Sequence, residues 1–507
     1  MNPPTRIPWS LELHTLARRH GERTAVQAED GRLCYAGLNR RAHGLAARLL
    51  REGVTPGACV GIYLPNGVDA VWADYGVTLS GACLVHLNAA YTREEVEWGL
   101  RLAPMRVILT DRAGMALLQG LPARLLCCED IDPIDDPQVL PAVPADAWGR
   151  IIFSSGTTGK PKGLVYDHGR RWLAAVLLRA MLPWVPQPGS RILLMTPYVH
   201  GASMLARAWL DNGGCVELRR GVDPAQAGAL LRAGSLEALF APPTVLAKLA
   251  AALGEQSFPG LRCLFTGTQT LTPGLYARAR ALFGPCVRVT YGKSENVNPI
   301  TVLDPADTDA AYAEAPGDTA PGACLGWPAP GVELRIGQGD EILLRSQHMY
   351  IGYVDAEGFH PPEADGWHRT GDLGRIDARG RLWLLGRMAD VIKSGGYKIY
   401  PDEIEAALAG TPGCGPICVA ALPSDYWGEV IVAVAEQADP AQDWAAQARE
   451  RVAGLARYKH PRAYVTLDEL PRNPQGKISR RAVREAVMAR WGLVDGAYPE
   501  LVRRGVE

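Results

Sequence analysis

The chain has 507 residues, of which 47% are hydrophobic and 21% charged, a globular composition with length for several folding units. Its 53 Lys and Arg against 54 Asp and Glu leave a net charge of −1, so it carries no electrostatic footprint for nucleic acid or an anionic membrane. No apolar run of about 18 residues marks a spanning helix, and the start shows no signal-peptide pattern. The 11 cysteines are scattered without Cys-x-x-Cys pairs, which reads as reduced core thiols of a cytoplasmic protein and argues against a zinc site.

In chain order, Cys59–Leu64, Cys83–Leu87 and Val107–Thr110 are short apolar runs that predict buried strands. Val68–Leu79 and Glu94–Leu102 have helical spacing between them. The alternation resumes with strands at Arg191–Met195, Cys215–Leu218, Leu239–Ala241, Leu261–Phe265 and Val287–Thr290. Helices are predicted at Ala202–Leu210, Ala225–Leu231, Val245–Leu253 and Pro273–Leu282. Such alternation implies parallel sheets covered by helices on both faces, here as two stacked α/β units. Past residue 300 the helices thin out, and Glu333–Ile336, Glu341–Leu344 and Arg381–Leu385 predict a smaller β unit. The last stretch mixes helices at Pro401–Ala409 and Ala445–Ala456 with strands at Cys418–Ala421 and Val430–Glu436. The fold class is therefore α/β: a large N-terminal domain, residues 1–386, with two αβα sheets and a small β unit, then a small α+β domain, residues 387–507.

The sharpest local signal is Phe153-Ser-Ser-Gly-Thr-Thr-Gly-Lys-Pro-Lys-Gly163. Glycines let backbone N–H groups approach an anion, hydroxyls donate to it and lysines supply charge, so the segment reads as a phosphate cradle. It is not a Walker loop, because Ser154 stands at the first glycine position and Pro161 follows Lys160. The plain alternative is a hairpin turn rich in small residues.

Further motifs follow in order: Tyr291-Gly-Lys-Ser-Glu295, His368-Arg-Thr-Gly-Asp-Leu373, Gly386-Arg387 with Asp390 and Ile392-Lys393, and Pro471-Arg-Asn-Pro-Gln-Gly-Lys477. Together with the loop they resemble the signature blocks of the adenylate-forming superfamily, which includes acyl-CoA synthetases, adenylation domains of peptide synthetases and luciferases. The resemblance spans about residues 150–480 by motif. It implies ATP- and Mg²⁺-dependent activation of a carboxylate as an acyl-adenylate with release of pyrophosphate, followed by capture of the acyl group by a nucleophile.

The resemblance also assigns roles. Ser154, Ser155, Gly156, Thr157, Thr158, Gly159 and Lys160 would cradle the phosphates. Glu295 would coordinate Mg²⁺, a hard ion that takes carboxylate and phosphate oxygens. Tyr291 would stack on adenine, with Gly292 and Ser294 beside it and Thr266, Gly267, Thr268 and Gln269 bordering the base. Asp372 would accept both ribose hydroxyls, and Arg387 would approach the nucleotide at the domain junction. Lys477, entering from a mobile small domain, would bridge the acyl carboxylate and the nucleotide. His200 would close the acyl pocket or assist the nucleophile, and Tyr198, Gly201, Met204, Val297 and Asn298 would line it. Ser394, Gly395 and Gly396 resemble the loop beside the pantetheine tunnel of coenzyme A ligases. Plain readings stand beside several of these: a core aromatic for Tyr291, a turn aspartate for Asp372, a structural histidine for His200, a solvated lysine for Lys477.

At the hinge the usual acid two places after the arginine is replaced by Ala389. No carrier motif follows Lys477, which predicts a stand-alone enzyme. An acid–CoA ligase is the leading reading. An enzyme that passes the adenylate to an amine or to a separate carrier protein is the second, and a nucleotide-binding protein without catalysis the third. No basic cluster is visible for a diacid, so the expected substrate is a medium-sized, largely apolar acid, aryl or short cyclic or aliphatic. The setting of Arg207 is left open between a polar substrate group and the surface.

Overall fold

Cys59–Tyr63 and Cys83–Leu87 are buried at every position, as strands covered on both faces must be, and they pair in parallel. In the computed structural model, which describes residues 5–154, 162–199, 201–314, 322–473 and 476–504, they form the centre of an eight-stranded sheet. Val107–Thr110 and Arg124–Cys127 extend it on one side and Trp148–Ser154 on the other, all in parallel. The sheet then turns antiparallel through Lys162–Asp167, Gly352–Asp355 and Gly358–His360.

The second sheet is longer, with 13 strands. Its parallel half runs Thr24–Ala28, Cys215–Leu218, Arg191–Leu194, Ala238–Phe240, Cys263–Gly267 and Val287–Lys293. Helix Val68–Leu79 is buried from Ala70 to Leu79 and joins a core that includes side chains from both sheets, so it reads as a helix wrapped on all sides. The small β unit is continuous with this sheet. Ala323–Pro328 pairs with Asn296–Leu303 on one side and with Leu382–Arg387 on the other, and His368–Ile376, Glu341–Ser346 and Val332–Ile336 follow outward.

The last strand of the large sheet ends at Arg387, and the first strand of the small lobe begins at Ile392. The small lobe is built on a five-stranded sheet, with Gly428–Glu436 between Ile417–Ser424 and Ala463–Leu467. Residues alternate along the central strand: Ile431, Ala433 and Ala435 pack under helices Pro401–Leu408 and Trp444–Val452, while Val430, Val432 and Val434 pack against helix Arg480–Arg490.

Most predicted elements lie within two residues of their observed bounds. The strand expected at Leu261–Phe265 instead runs Cys263–Gly267, because its ladder with Val287–Thr290 continues through polar Thr266 and Gly267. Helix Trp444–Val452 is shorter than expected; Ala453 caps it, just ahead of Gly454. The cysteines are free, and all but Cys34 and Cys414 are buried. Among the described residues, no helix is long and apolar enough to cross a membrane.

Candidate active site

The phosphate-loop motif joins two paired strands, with Ser154 opposite Lys162 in the ladder. Ser155, Gly156, Thr157, Thr158, Gly159 and Lys160 lie outside the described residues, as does His200, and so do the side chains of Ser154 and Val297.

Asp372 is the hub of the site. It sits in strand His368–Ile376 opposite Arg387, is only 5% exposed, and is thus no ordinary turn aspartate. The Tyr291 hydroxyl donates to Asp372 Oδ2 at 2.5 Å and Lys293 Nζ at 3.1 Å. Arg387 Nε lies 3.7 Å from Oδ1. Tyr291 and Lys293 are two apart on one strand and so share a face. Burial first, then the Asp372 charge, push the Tyr291 hydroxyl well above the ordinary phenol range, so it stays a donor. The Tyr291 ring packs in the core beneath this carboxylate.

Lys477 arrives from the small lobe on a closed turn. Asn473 N–H donates to the Lys477 carbonyl at 2.8 Å, and Lys477 N–H donates back to Asn473 Oδ1 at 2.9 Å. Gly476, at φ 77°, supplies the left-handed step. Lys477 Nζ then donates to the Thr268 carbonyl at 2.8 Å. Thr268 itself has φ 71°, a costly conformation for a β-branched residue. Ahead of it Gly267 passes so close to its neighbour that a Cβ would lie 2.3 Å from the Thr290 carbonyl oxygen. Gln269 is half-buried beyond. The Lys477 amine is lowered to about 8, by burial first and then by Arg387 and Lys293, with Asp372 opposing them. Lys477, Arg387, Lys293 and Asp372 therefore share one electrostatic neighbourhood, and Lys477 is not a solvated surface lysine.

Glu295 occupies the turn between strands Val287–Lys293 and Asn296–Leu303, next to Ser294 and beyond exposed Gly292. The turn is anchored twice: the Tyr166 hydroxyl donates to the Ser294 carbonyl at 2.5 Å, and Tyr350 N–H to the Glu295 carbonyl at 3.0 Å. The carboxylate is half-buried and, among the described residues, in no ion pair. No cluster of three or more metal-ligating side chains occurs among the described residues. A lone carboxylate of this kind fits Mg²⁺, which completes its shell from phosphate oxygens and water.

The residues expected at the acyl wall lie on three elements, and of them Met204 and Asn298 share a cavity. Tyr198 is buried, with its N–H on Asn66 Oδ1 at 2.8 Å and its hydroxyl unpartnered among the described residues. Gly201 opens the helix that carries Met204. Asn298 is buried and donates from Nδ2 to the Ala174 carbonyl at 2.8 Å. Met204 and Asn298 line one cavity of about 40 Å³, and Arg207 lines it too. Arg207 is therefore an interior residue. The expectation of no basic cluster fails as well: Arg150, Arg171 and Arg207, far apart in the chain, all border this cavity.

Ser394, Gly395 and Gly396 sit at a two-residue hairpin between Ile392–Ser394 and Tyr397–Ile399. Gly395 and Gly396 have φ 58° and 86°, as a tight hairpin of this hand requires, so the turn alone accounts for both glycines. Gly395 N–H bonds the Trp427 carbonyl, and the buried Ser394 hydroxyl has no partner among the described residues. At the junction, Ala389 lies in the single turn Met388–Asp390. Its neighbour Asp390 pairs with Arg480 at 2.5 Å, and Arg480 also binds Asp402 and Glu405, each at 2.8 Å.

Residues 13–354 match the family model described as AMP-binding enzyme, and residues 403–477 match that of the AMP-binding enzyme C-terminal domain. The chain belongs to the AMP-binding enzyme family. Among curated members of that family, a 3-[(3aS,4S,7aS)-7a-methyl-1,5-dioxo-octahydro-1H-inden-4-yl]propanoyl:CoA ligase of Mycobacterium tuberculosis is 30% identical, over 96% of this chain and 99% of its own. A 2-succinylbenzoate–CoA ligase of Bacillus cereus is 28% identical, over 92% and 96%. A solved O-succinylbenzoate coenzyme A synthetase of Bacillus subtilis, in complex with ATP and magnesium ion, superposes with a TM-score of 0.81 at 24% identity, covering 94% of this chain and 99% of that one; the likeness carries the fold.

Within this AMP-binding enzyme, sequence reasoning passed over Lys293, Arg480 and the arginines at 150 and 171. Lys293 had a signal, since period-two spacing puts it on the face of Tyr291. Arg480 lies three residues past Lys477, on the first turn of the next helix. The two buried arginines had none.

Proposed function

We propose that this enzyme activates a carboxylic acid with ATP as an acyl-adenylate and passes the acyl group to the thiol of coenzyme A. The observation that carries the reading is Lys477 Nζ docked on the Thr268 carbonyl beside the Asp372 hub, a cation delivered by the small lobe to the mouth of the nucleotide site. In the first half-reaction a carboxylate oxygen attacks the α-phosphorus and pyrophosphate leaves. In the second, the sulfur attacks the acyl carbon, the thiol proton is lost and AMP leaves.

Catalysis of such transfers rests on positioned charge more than on covalent help. Asp372 accepts the ribose hydroxyls and is held in place by Tyr291, Lys293 and Arg387. Residues 154–160 cradle the phosphates. Glu295 holds Mg²⁺, which when bound offsets phosphate charge. Lys477 leaves the Thr268 carbonyl for the reacting carboxylate and α-phosphate oxygens, where negative charge grows. The small domain, residues 387–507, moves between the half-reactions, with the pivot ahead of Asp390 because Arg480 fastens that residue to the small lobe. The curated relatives above are named as coenzyme A ligases, which supports the thiol acceptor. Free, buried cysteines fit a reducing compartment, the cytoplasm.

The test is pyrophosphate release across a panel of acids with ATP and Mg²⁺, with product masses read in the presence of coenzyme A and of mixed amines. An acyl-CoA mass is expected. An amide, or an acyl-adenylate that ignores coenzyme A, overturns the thiol step; no pyrophosphate from any acid overturns the adenylation.

A further inference from the structure

The small cavity behind the site is unusual in charge. Arg150, Arg171 and Arg207 line it against a single lining carboxylate, Asp74; Arg150, Arg171 and Asp74 are buried, and the Arg207 side chain is 12% exposed. Asp74 lies 3.4 Å from Arg207 and 4.0 Å from Arg171, and His86 approaches its other oxygen at 3.5 Å. Asp211, one helical turn beyond Arg207, takes the Tyr75 hydroxyl at 3.1 Å. Asp211 and Glu12 act on Arg207 from further off, so among the described residues Asp74 is the one carboxylate within 4.0 Å of these guanidiniums. Buried charge without a counter-charge is expensive, and arginine keeps its proton.

The cluster is also incompletely bonded. Arg150 is 4% exposed, yet its Nε has no partner among the described residues, and neither do Arg207 Nε, the Tyr198 hydroxyl or Asn298 Oδ1. These orphans surround the wall that the motifs assign to the acyl group. Arg150 donates to the Val199 carbonyl at 2.9 Å, inside the Tyr198–Gly201 segment. Met204 and Asn298 face the same space, while Ala174, Leu178 and Trp9 give it apolar sides. Arg150 and Ser154 lie on one strand, four residues and thus roughly 13 Å of backbone apart at about 3.3 Å per residue. A cavity of about 40 Å³ has room for a few waters or one carboxylate.

We infer that this cavity is an anion subsite of the acyl pocket, and that the substrate is a carboxylic acid with an apolar body and a second carboxylate at its far end, which Arg150, Arg171 and Arg207 bind. The inference rests on the proposed acid–CoA ligase activity. A guanidinium–carboxylate contact is directional and strong, which sets the substrate against its uncharged analogues.

The experiment compares matched acids that differ only at the far end (carboxylate, methyl ester, methyl) by pyrophosphate release and acyl-CoA mass on the full chain. The carboxylate is expected to exceed the methyl compound in kcat/KM by on the order of 10²-fold. Arg207→Gln and Arg150→Gln are expected to remove most of that preference, with the KM for ATP as readout of an intact nucleotide site. Should these variants fail to fold, Met204→Glu places a carboxylate among the arginines and is expected to remove the preference in the same way. Equal or better use of the methyl or ester compound overturns the inference, as does an equal loss for all three acids in the arginine variants, which would mark a purely structural ion-pair network. A preference for the diacid without any acyl-CoA would overturn the ligase reading and leave the subsite standing.

Discussion

Lys477→Ala is the substitution whose consequence the structure defines best. The turn that presents Lys477 is closed by backbone atoms and the Asn473 side chain, so truncation leaves the loop in place and removes only the cation. That cation is largely desolvated and lies among Arg387, Lys293 and Asp372, where each charge acts in a medium less screening than water. One positioned donor in such a site is worth about 3–4 kcal/mol in the transition state, or on the order of 10²–10³ in rate. Pre-steady-state pyrophosphate release with saturating ATP and acid measures this step. Formation of acyl-CoA from a chemically prepared acyl-adenylate measures the other, and it is expected to be unchanged. A loss below about tenfold in pyrophosphate release, 1.4 kcal/mol, would refute the assignment of Lys477 to adenylation. Equal losses in both assays would show that the residue is structural.

Three further outcomes follow from the same neighbourhood. Because the Lys477 amine titrates near 8 rather than at its ordinary 10.5, it is charged below that pH and neutral above it; kcat/KM for ATP is expected to fall as pH rises through about 8, and Lys477→Arg should move that limb upward. The docked conformer carries the opposite dependence, since burying the protonated amine is unfavourable and the penalty fades above pH 8; if the pH–rate limb is the same in Lys477→Arg, the lysine is not its source. Asp372→Ala strips the acceptor from Tyr291, Lys293 and Arg387, and loss of charge-assisted bonds to the ribose is expected to raise the ATP KM about 10- to 100-fold, by initial rates at varied ATP. Arg480→Ala leaves Asp390, Asp402 and Glu405 facing one another, a group in which burial already pushes the Glu405 carboxyl up. Urea unfolding is expected to show about 3 kcal/mol of lost stability, and less than 1 kcal/mol would mean that the solvent already screens the cluster.

The sequence by itself determined the alternation of strands and helices, because an apolar run five residues long or a 3.6-residue stripe is a local property of the chain. It also marked the candidate segments for phosphate, ribose and metal chemistry, since Tyr291, Glu295, Asp372 and Lys477 stand in recognisable short motifs. It could not determine that Tyr291, Lys293 and Arg387 converge on one oxygen pair of Asp372, for that requires strands from different parts of the second sheet to fall into register. Nor could it determine that the Gly395-Gly396 pair is explained by its hairpin, which is a matter of backbone angles. The docking of Lys477 on Thr268, more than 200 positions away, was decided only by the placement of one lobe against the other. The arginines at 150, 171 and 207 show the limit most plainly. The three are far apart in the chain, none belongs to a motif, and only the packing of a strand and two helices around one cavity turns three scattered charges into a site. Periodicity is written in neighbours along the chain; charge density in a pocket is written in neighbours in space.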